Sequence, residues 1–142
     1  MPRSDERVLK ARLARIARAV EEIERDLPPG IDAFLGPDGE RLLAALEYRL
    51  VVALQAAIDV ATHICAAEGF GAPDSYRDAM ERLGRRGVLP PDLVQPMATG
   101  VGLRNVLIHE YLEVDPARVL AALRDVGDLK RFAAAIWDWA DF

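Results

Sequence analysis

The sequence predicts an all-α protein, an antiparallel bundle of four long helices and one short helix. Apolar residues recur every three or four positions over long stretches, and clusters of proline and glycine separate these stretches. No stretch shows the sustained alternation of polar and apolar residues that is typical of a strand. Because the separating segments are short, we expect consecutive helices to pack antiparallel.

Length and composition bound the class of protein. The 142 residues are the size of one ordinary domain, so we expect a single domain over residues 1–142. The lone Cys65 has apolar neighbours and is expected to be a small buried side chain. The charged start of the chain is not followed by an apolar segment, so we expect no secretory signal. These features predict a cytoplasmic protein.

The first two helices are predicted over residues 5–26 and 40–67. Pro28, Pro29 and Gly30 end the first, because proline lacks an amide proton and glycine favours the turn. Its arginines and glutamates are most simply a solvated face, and a stripe that binds a partner is the alternative. The second helix holds the most apolar run of the chain, but a carboxylate at Asp59 is costly inside a membrane. We therefore expect a buried helix and no membrane span.

The remaining helices follow clear start signals. Ser75, with Asp78 three residues later, resembles a capping box that begins a third helix over residues 76–85. Pro90 and Pro91 begin a fourth helix, which Gly100 and Gly102 are expected to loosen. Asp115 is expected to cap a last helix from Pro116 to about residue 139.

Asp59 and His63 lie four residues apart, so they share one face of the second helix. The simplest interpretation is a polar pair that hydrogen-bonds locally. A supporting role near an active site is a second interpretation. A metal site is the third and the weakest, because two ligands rarely suffice to hold a metal. We expect no metal and no cofactor.

The strongest candidate for a site is the stretch from Arg104 to Tyr111, at the end of the fourth helix. Histidine both gives and takes a proton near neutral pH, and arginine is a permanent cation whose planar fork fits a phosphate. His109 and Arg104 together therefore indicate chemistry at a phosphodiester. Asn105 would orient the imidazole or the phosphate.

One regular helix does not point both groups at one phosphorus atom. At 100° per residue, Arg104 and His109 are about 140° apart, whereas Asn105 and His109 are within about 40°. Three solutions are open. The long arginine side chain wraps around the helix, the helix kinks near Gly100 and Gly102, or two copies of the chain face each other across a two-fold axis. We favour the two-fold arrangement.

The stretch resembles the signature of the HepT-like ribonuclease toxins of the HEPN superfamily, which reads Arg-x-x-x-x-His-x-Tyr with Asn or His often after the arginine. Arg104, Asn105, His109 and Tyr111 match it position for position. The resemblance extends over most of the chain, including Gln55, Asp59 and His63 on the second helix and the segment from Pro73 to Arg77.

This resemblance implies a HEPN-type bundle, a homodimer with a composite site and cleavage of RNA without a metal ion. Arg104 and His109 would be the catalytic residues, supported by Asn105 and Asp59. Tyr111 would be the phenol to which an MntA-like minimal nucleotidyltransferase, the partner antitoxin, attaches AMP to silence the ribonuclease. The RNA substrate, this antitoxin and a second copy of the chain are thus the expected partners.

The net charge of -5 opposes a general affinity for nucleic acid, since neutralisation of phosphates drives nonspecific binding. A local groove can still be positive, with candidates in Arg77, Arg82, Arg85, Arg86 and Arg104. The acidic charge keeps a second function open, a non-catalytic HEPN-type module that binds a nucleotide or a partner protein. A purely structural bundle, with Trp137, Trp139 and Phe142 as an assembly surface, is a third and weaker interpretation.

Overall fold

The computed structural model describes residues 3–142, and their side chains from residue 5 onward. Met1 and Pro2, the first residues of the charged start, lie outside the described part. Over the described range the chain forms α-helices and two short 3-10 turns, Ile31–Phe34 and Tyr111–Glu113, without a strand. The helices are α1 (Arg3–Asp26), α2 (Gly36–Ala67), α3 (Tyr76–Arg85), α4 (Pro91–His109), α5 (Pro116–Arg124) and α6 (Gly127–Trp139). The predicted all-α class is confirmed.

Helices α1 and α2 pack antiparallel, and ion pairs mark both ends of their contact. Near the start of α1, Asp5 Oδ1 lies 2.9 Å from Nε2 of His63, close to the end of α2. Near the end of α1, Arg49 of α2 contacts Glu22 and Asp26 at 3.1 and 2.5 Å. Residue numbers therefore rise along α1 in the direction in which they fall along α2, as in an antiparallel pair.

Helix α2 is the centre of the bundle and contacts the five other helices. The buried side chains of α2 and apolar residues from the five other helices form one hydrophobic core, which includes Cys65 as expected. By length and composition α2 could cross a membrane, but 56 % of its most apolar stretch is buried inside the protein. Burial of this kind is typical of the core helix of a helical bundle.

The predicted helix starts are confirmed for α3 and α5. The hydroxyl of Ser75 accepts a hydrogen bond from the Asp78 amide, and Asp78 in turn accepts one from the Asp74 amide. The bond from Asp74, followed by that from Arg82, lowers the pKa of the Asp78 carboxyl. At α5, the carboxylate of Asp115 accepts from the Ala117 amide. These caps satisfy amide groups that have no partner inside the helix.

The start of α2 differs from the expectation, because the helix begins at Gly36 and not at residue 40. Pro37 stands in the first turn, where its missing amide proton costs nothing. Gly39 is buried one turn into the helix, against the preceding 3-10 turn. A Cβ added there would lie 2.4 Å from the carbonyl carbon of Phe34. The glycine therefore allows the chain to fold back closely on itself.

The end of the chain also differs, since the predicted last helix is two helices. Helix α5 ends at Arg124 and α6 begins at Gly127, with a turn at Asp125 and Val126. The buried Val126 anchors this turn in the core. Two short helices can bury different faces, whereas one straight helix would present one continuous stripe.

Candidate active site

The motif lies where the sequence predicts it, in the last turns of α4 and the 3-10 turn that follows. Its side chains reach different environments. Arg104 is half-buried, whereas Asn105 and His109 are exposed. Tyr111 is 70 % exposed and stands on the surface of the turn. Solvent and large ligands thus have access to Asn105, His109 and Tyr111, and to part of Arg104.

The guanidinium of Arg104 is held by neutral groups. Its Nε donates a hydrogen bond of 2.9 Å to Oε1 of Gln55 on α2, and its Nη1 donates one of 3.0 Å to Oδ1 of Asn105. Its central carbon lies 5.6 Å from the centre of the Tyr76 ring at the start of α3. In the described part of the chain no carboxylate lies within ion-pair distance of Arg104. Its positive charge is therefore not neutralised by a direct partner.

His109 is the last residue of α4, and its imidazole makes no hydrogen bond to any described residue. The amide of the following Glu110 still donates to the Val106 carbonyl at 2.8 Å, so the helix is intact up to this point. Both ring nitrogens remain available to a ligand. A histidine in this position can accept or donate a proton without first breaking an internal bond.

Among residues 5–142, no hydrogen bond joins Arg104 to His109. Helix α4 is continuous from Pro91 to His109, so Gly100 and Gly102 do not interrupt it. Arg104 is turned towards Gln55 on α2, while His109 lies about 140° further around the helix axis. The Nη1 group of Arg104 nevertheless reaches Asn105, which shares a face of α4 with His109.

The other candidates for a positive groove are partly neutralised. Arg77 pairs with Glu81, and both Arg82 and Arg85 pair with Asp78. Arg86 lies over the ring of Phe70, 5.0 Å from its centre. Acidic neighbours on α3 thus reduce the positive charge that these arginines could add to a groove beside Arg104.

The structure separates Asp59 from His63. Asp59 accepts a hydrogen bond from Nε2 of Gln55 at 2.9 Å, and its other oxygen lies 3.8 Å from Nε of Arg12. Nε2 of His63 lies 2.9 Å from Oδ1 of Asp5, but the angles at this contact do not fit a hydrogen bond. Among residues 5–142 no group of three or more potential ligands has the geometry of a metal site. Asp59 therefore connects to the motif through Gln55.

Sequence reasoning did not assign a role to Gln55 or Tyr76, which both contact Arg104. Each enters the prediction only through the family resemblance. A helical repeat places Gln55 and Asp59 on one face of α2, but no local pattern indicates which residue of α4 they meet. Their contact with Arg104 depends on how α2, α3 and α4 pack together.

A separate cavity of about 450 Å³ lies between α2, α4, α5 and α6. Its walls are mainly aliphatic and include Leu54, Met97 and Leu129, with Arg118 and Asp125 among the polar residues. None of the four motif residues lines it. The candidate active site is therefore an open surface beside α4 and not this cavity.

The helical bundle and the Arg104 to Tyr111 stretch define a class, the helical ribonucleases with an arginine and a histidine near the end of one helix. Comparison with known families agrees, since residues 16–136 match the family described as ribonuclease HepT-like. The chain belongs to this family. The predicted family and the predicted class of enzyme, a ribonuclease, are confirmed.

Two relatives illustrate the similarity in sequence. The chain is 31 % identical over 116 residues to the tRNA nuclease HepT of Aphanizomenon flos-aquae, which covers 82 % of this chain and 78 % of the relative. It is 34 % identical over 61 residues to the mRNA nuclease HepT of Shewanella oneidensis, covering 43 % of this chain and 46 % of the relative. The two relatives are named for different RNA substrates, tRNA and mRNA.

Solved structures show the same fold. A tri-AMPylated HEPN toxin of Shewanella oneidensis, in complex with its MNT antitoxin, superposes with a TM-score of 0.82 at 24 % identity, covering 96 % of this chain and 98 % of that one. A toxin-antitoxin complex of MntA with a HepT chain gives a TM-score of 0.79 at 25 % identity, covering 91 % and 96 %. The HEPN-type bundle is thus confirmed.

Proposed function

We propose that this chain is the toxin of a toxin-antitoxin pair, and that it cleaves RNA beside a ribose 2′-hydroxyl without a metal ion. One observation carries the proposal. The motif arginine keeps its full charge, because Gln55, Asn105 and Tyr76 hold it while no carboxylate in the described chain neutralises it. Arg49 on α2 shows the contrasting arrangement, since it pairs with two carboxylates. A guanidinium without a carboxylate partner is available to bind an anionic ligand such as a phosphate.

The reaction needs a base, a cation and an acid. The 2′-hydroxyl attacks the adjacent phosphorus while an imidazole of His109 takes its proton. Arg104 stabilises the negative charge that develops on the phosphate oxygens. The bond from phosphorus to the 5′-oxygen breaks, and that oxygen receives a proton from an acid. The products are a 2′,3′-cyclic phosphate and a 5′-hydroxyl.

A homodimer would supply both proton carriers. A second copy related by a two-fold axis would bring its own His109 to the same open surface beside α4. One imidazole then serves as the base and the other as the acid. Apolar side chains beside the motif support a contact surface, with Ile108 38 % and Leu112 86 % exposed. Exposed apolar residues in a cluster often mark such surfaces.

The expected partner is a minimal nucleotidyltransferase antitoxin that attaches AMP to Tyr111. The structurally similar toxin of Shewanella oneidensis is tri-AMPylated and is bound to an MNT antitoxin. In this chain Tyr111 is well exposed and stands two residues after His109. A phosphate attached there would place negative charge beside His109 and repel the RNA backbone.

We also propose that this single-domain protein, residues 1–142, works in the cytoplasm.

The test compares matched substitutions at the two histidines and at two arginines. His109→Ala and Arg104→Ala are expected to abolish cleavage of total tRNA, with and without EDTA. His63→Ala and Arg124→Ala are the controls, because these residues contact Asp5 and the Pro29 carbonyl away from the motif. Circular dichroism confirms that each variant keeps its helices. If the unmodified wild-type chain cleaves no RNA, the proposed activity is wrong.

The acidic net charge favours a second candidate, a non-catalytic module that binds a nucleotide or a protein. The same experiment separates the two. A non-catalytic module predicts that His109→Ala and His63→Ala behave alike in the cleavage assay. A ribonuclease predicts that only His109→Ala loses activity.

A further inference from the structure

A line of polar contacts crosses three helices and ends at Arg104. Arg12 of α1 lies 3.8 Å from Asp59 of α2. Asp59 accepts a hydrogen bond from Nε2 of Gln55, and Oε1 of the same amide accepts one from Nε of Arg104 on α4, both at 2.9 Å. Gln55 thus uses both ends of its amide, one towards an acid and the other towards a cation.

The two neighbours of Gln55 permit one orientation of its amide. If the amide were rotated by 180°, its NH₂ group would face the N–H of Arg104, donor against donor. Its oxygen would then face the carboxylate of Asp59, acceptor against acceptor. Both groups are half-buried, so water does not fully compensate for either mismatch. Asp59 therefore selects the orientation in which the amide oxygen points to Arg104.

The contact with Gln55 also fixes what Arg104 can offer to a substrate. A guanidinium has five N–H donors. Gln55 occupies the donor on Nε and Asn105 occupies one on Nη1, which leaves three on Nη1 and Nη2. Because Nε is held from α2, the plane of the guanidinium cannot turn freely about the side chain. The remaining donors are presented in one direction.

Glutamine is the suitable residue for this position because it is neutral. A carboxylate in place of the amide would accept from Nε equally well, but it would form an ion pair with Arg104 and weaken its attraction for phosphate. It would also stand beside the carboxylate of Asp59, one helical turn away, where like charges repel. The amide orients the cation without neutralising it.

We propose that Gln55 is a positioning residue, which orients the Arg104 guanidinium for the scissile phosphate, and that Asp59 acts by fixing the Gln55 amide. The proposal rests on the proposed function, in which Arg104 binds the phosphate. It gives Asp59 a specific role, as the group that holds Gln55 in place. Neither residue needs to touch the RNA.

Two substitutions at Gln55 separate orientation from charge. Gln55→Met keeps the length of the side chain but removes both hydrogen bonds, and misplacement of a catalytic group costs between about ten- and a hundredfold in rate. We expect this loss in kcat with little change in KM. Gln55→Glu keeps the acceptor but adds a charge, so it is expected to raise KM as well.

The matched control is Gln95→Met, since Gln95 is a glutamine on α4 that also accepts a hydrogen bond from an arginine, Arg77, at 3.3 Å. It is expected to leave kcat and KM unchanged. Asp59→Asn keeps an oxygen that accepts the hydrogen bond from Gln55, so this variant should retain most of the wild-type activity. Asp59→Leu removes the acceptor and should resemble Gln55→Met. All variants are assayed on an oligoribonucleotide that the wild-type chain cleaves, and their thermal midpoints are measured.

The outcomes distinguish this proposal from the proposed function. If Arg104→Ala is inactive but Gln55→Met cleaves at the wild-type rate, the role of Gln55 is overturned and that of Arg104 stands. If Arg104→Ala is itself fully active, the proposed function of the motif is wrong. A loss of kcat in Gln55→Met that is matched by Gln95→Met, or that is explained by a lower folded fraction, also overturns the role of Gln55.

Discussion

The guanidinium carbon of Arg104 lies 5.6 Å from the centre of the Tyr76 ring, which joins the start of α3 to the end of α4. Tyr76 is 41 % exposed, so one part of the ring meets the cation while another faces solvent. The face of an aromatic ring carries negative electrostatic potential and attracts a guanidinium. Arg104 is thus supported by groups on both α2 and α3.

We predict that Tyr76→Leu lowers kcat/KM for RNA about two- to fivefold, because an exposed cation-π contact contributes about 0.5 to 1 kcal/mol. Tyr76→Phe keeps the ring and should retain activity within about twofold, since the same contact is preserved. The measurement is the initial rate of oligoribonucleotide cleavage at several substrate concentrations. Equal losses in the Phe and Leu variants would show that the phenol hydroxyl, and not the ring face, matters.

A second prediction concerns Gly39, whose Cβ would clash with the backbone of Phe34 at 2.4 Å. Gly39→Ala is expected to lower the free energy of unfolding by about 1 to 3 kcal/mol, the usual cost of overpacking. Gly102→Ala is the control, because a Cβ there meets nothing within 4 Å. It should raise the free energy of unfolding by up to about 1 kcal/mol through better helix propensity.

Urea unfolding followed by circular dichroism measures both glycine variants. The two substitutions make the same chemical change in two helices, so opposite signs would isolate the effect of the clash. Stabilisation by Gly39→Ala would mean that the 3-10 turn at Ile31–Phe34 moves away from α2 at little cost.

A third prediction concerns Asp26, where hydrogen bonds from Arg25 and then Arg49 lower the pKa of the carboxyl from 3.8 to about 2. A carboxyl with a lowered pKa in the folded state stabilises the fold above its unfolded pKa. That stabilisation is lost as the pH falls through the folded pKa. Asp26→Asn should therefore be less stable than the wild type above about pH 4, with the difference shrinking between about pH 4 and pH 2.

The measurement is the thermal midpoint of the wild type and Asp26→Asn across this pH range. A difference that stays constant down to about pH 2 would contradict the prediction. It would mean that the substitution acts through packing between α1 and α2 and not through the charge of the carboxylate.

Local signals predicted the helices where they are strong. The side chains of Ser75 and Asp115 cap α3 and α5 as the sequence indicates, because a cap depends on residues only two or three positions away. The start of α2 and the break near Val126 were missed, since both depend on packing. Pro37 in the first turn is a local start signal for α2, but the fit of the buried Gly39 against Phe34 appears only in the folded chain.

The site was predicted only in part, because local signals reveal the motif itself but not the residues that pack against it. The order of Arg104, Asn105, His109 and Tyr111 along α4 and the turn after it can be read from the sequence, as can their place at the helix end. The partners of Arg104 cannot. Gln55 is 49 residues away from it in the chain and reaches it only because α2 packs against α4.

The last prediction concerns the proposed silencing of the chain through AMP attached to Tyr111. Tyr111→Phe lacks the oxygen that would receive AMP, so this variant should still cleave RNA but escape inhibition by the co-expressed nucleotidyltransferase. Tyr48→Phe is the matched control, because Tyr48 is 65 % exposed and Tyr111 is 70 % exposed. The measurements are growth after induction and the intact mass of the purified chain. We expect added AMP on the wild type and on Tyr48→Phe, whereas AMP retained on Tyr111→Phe would place the modification on another residue.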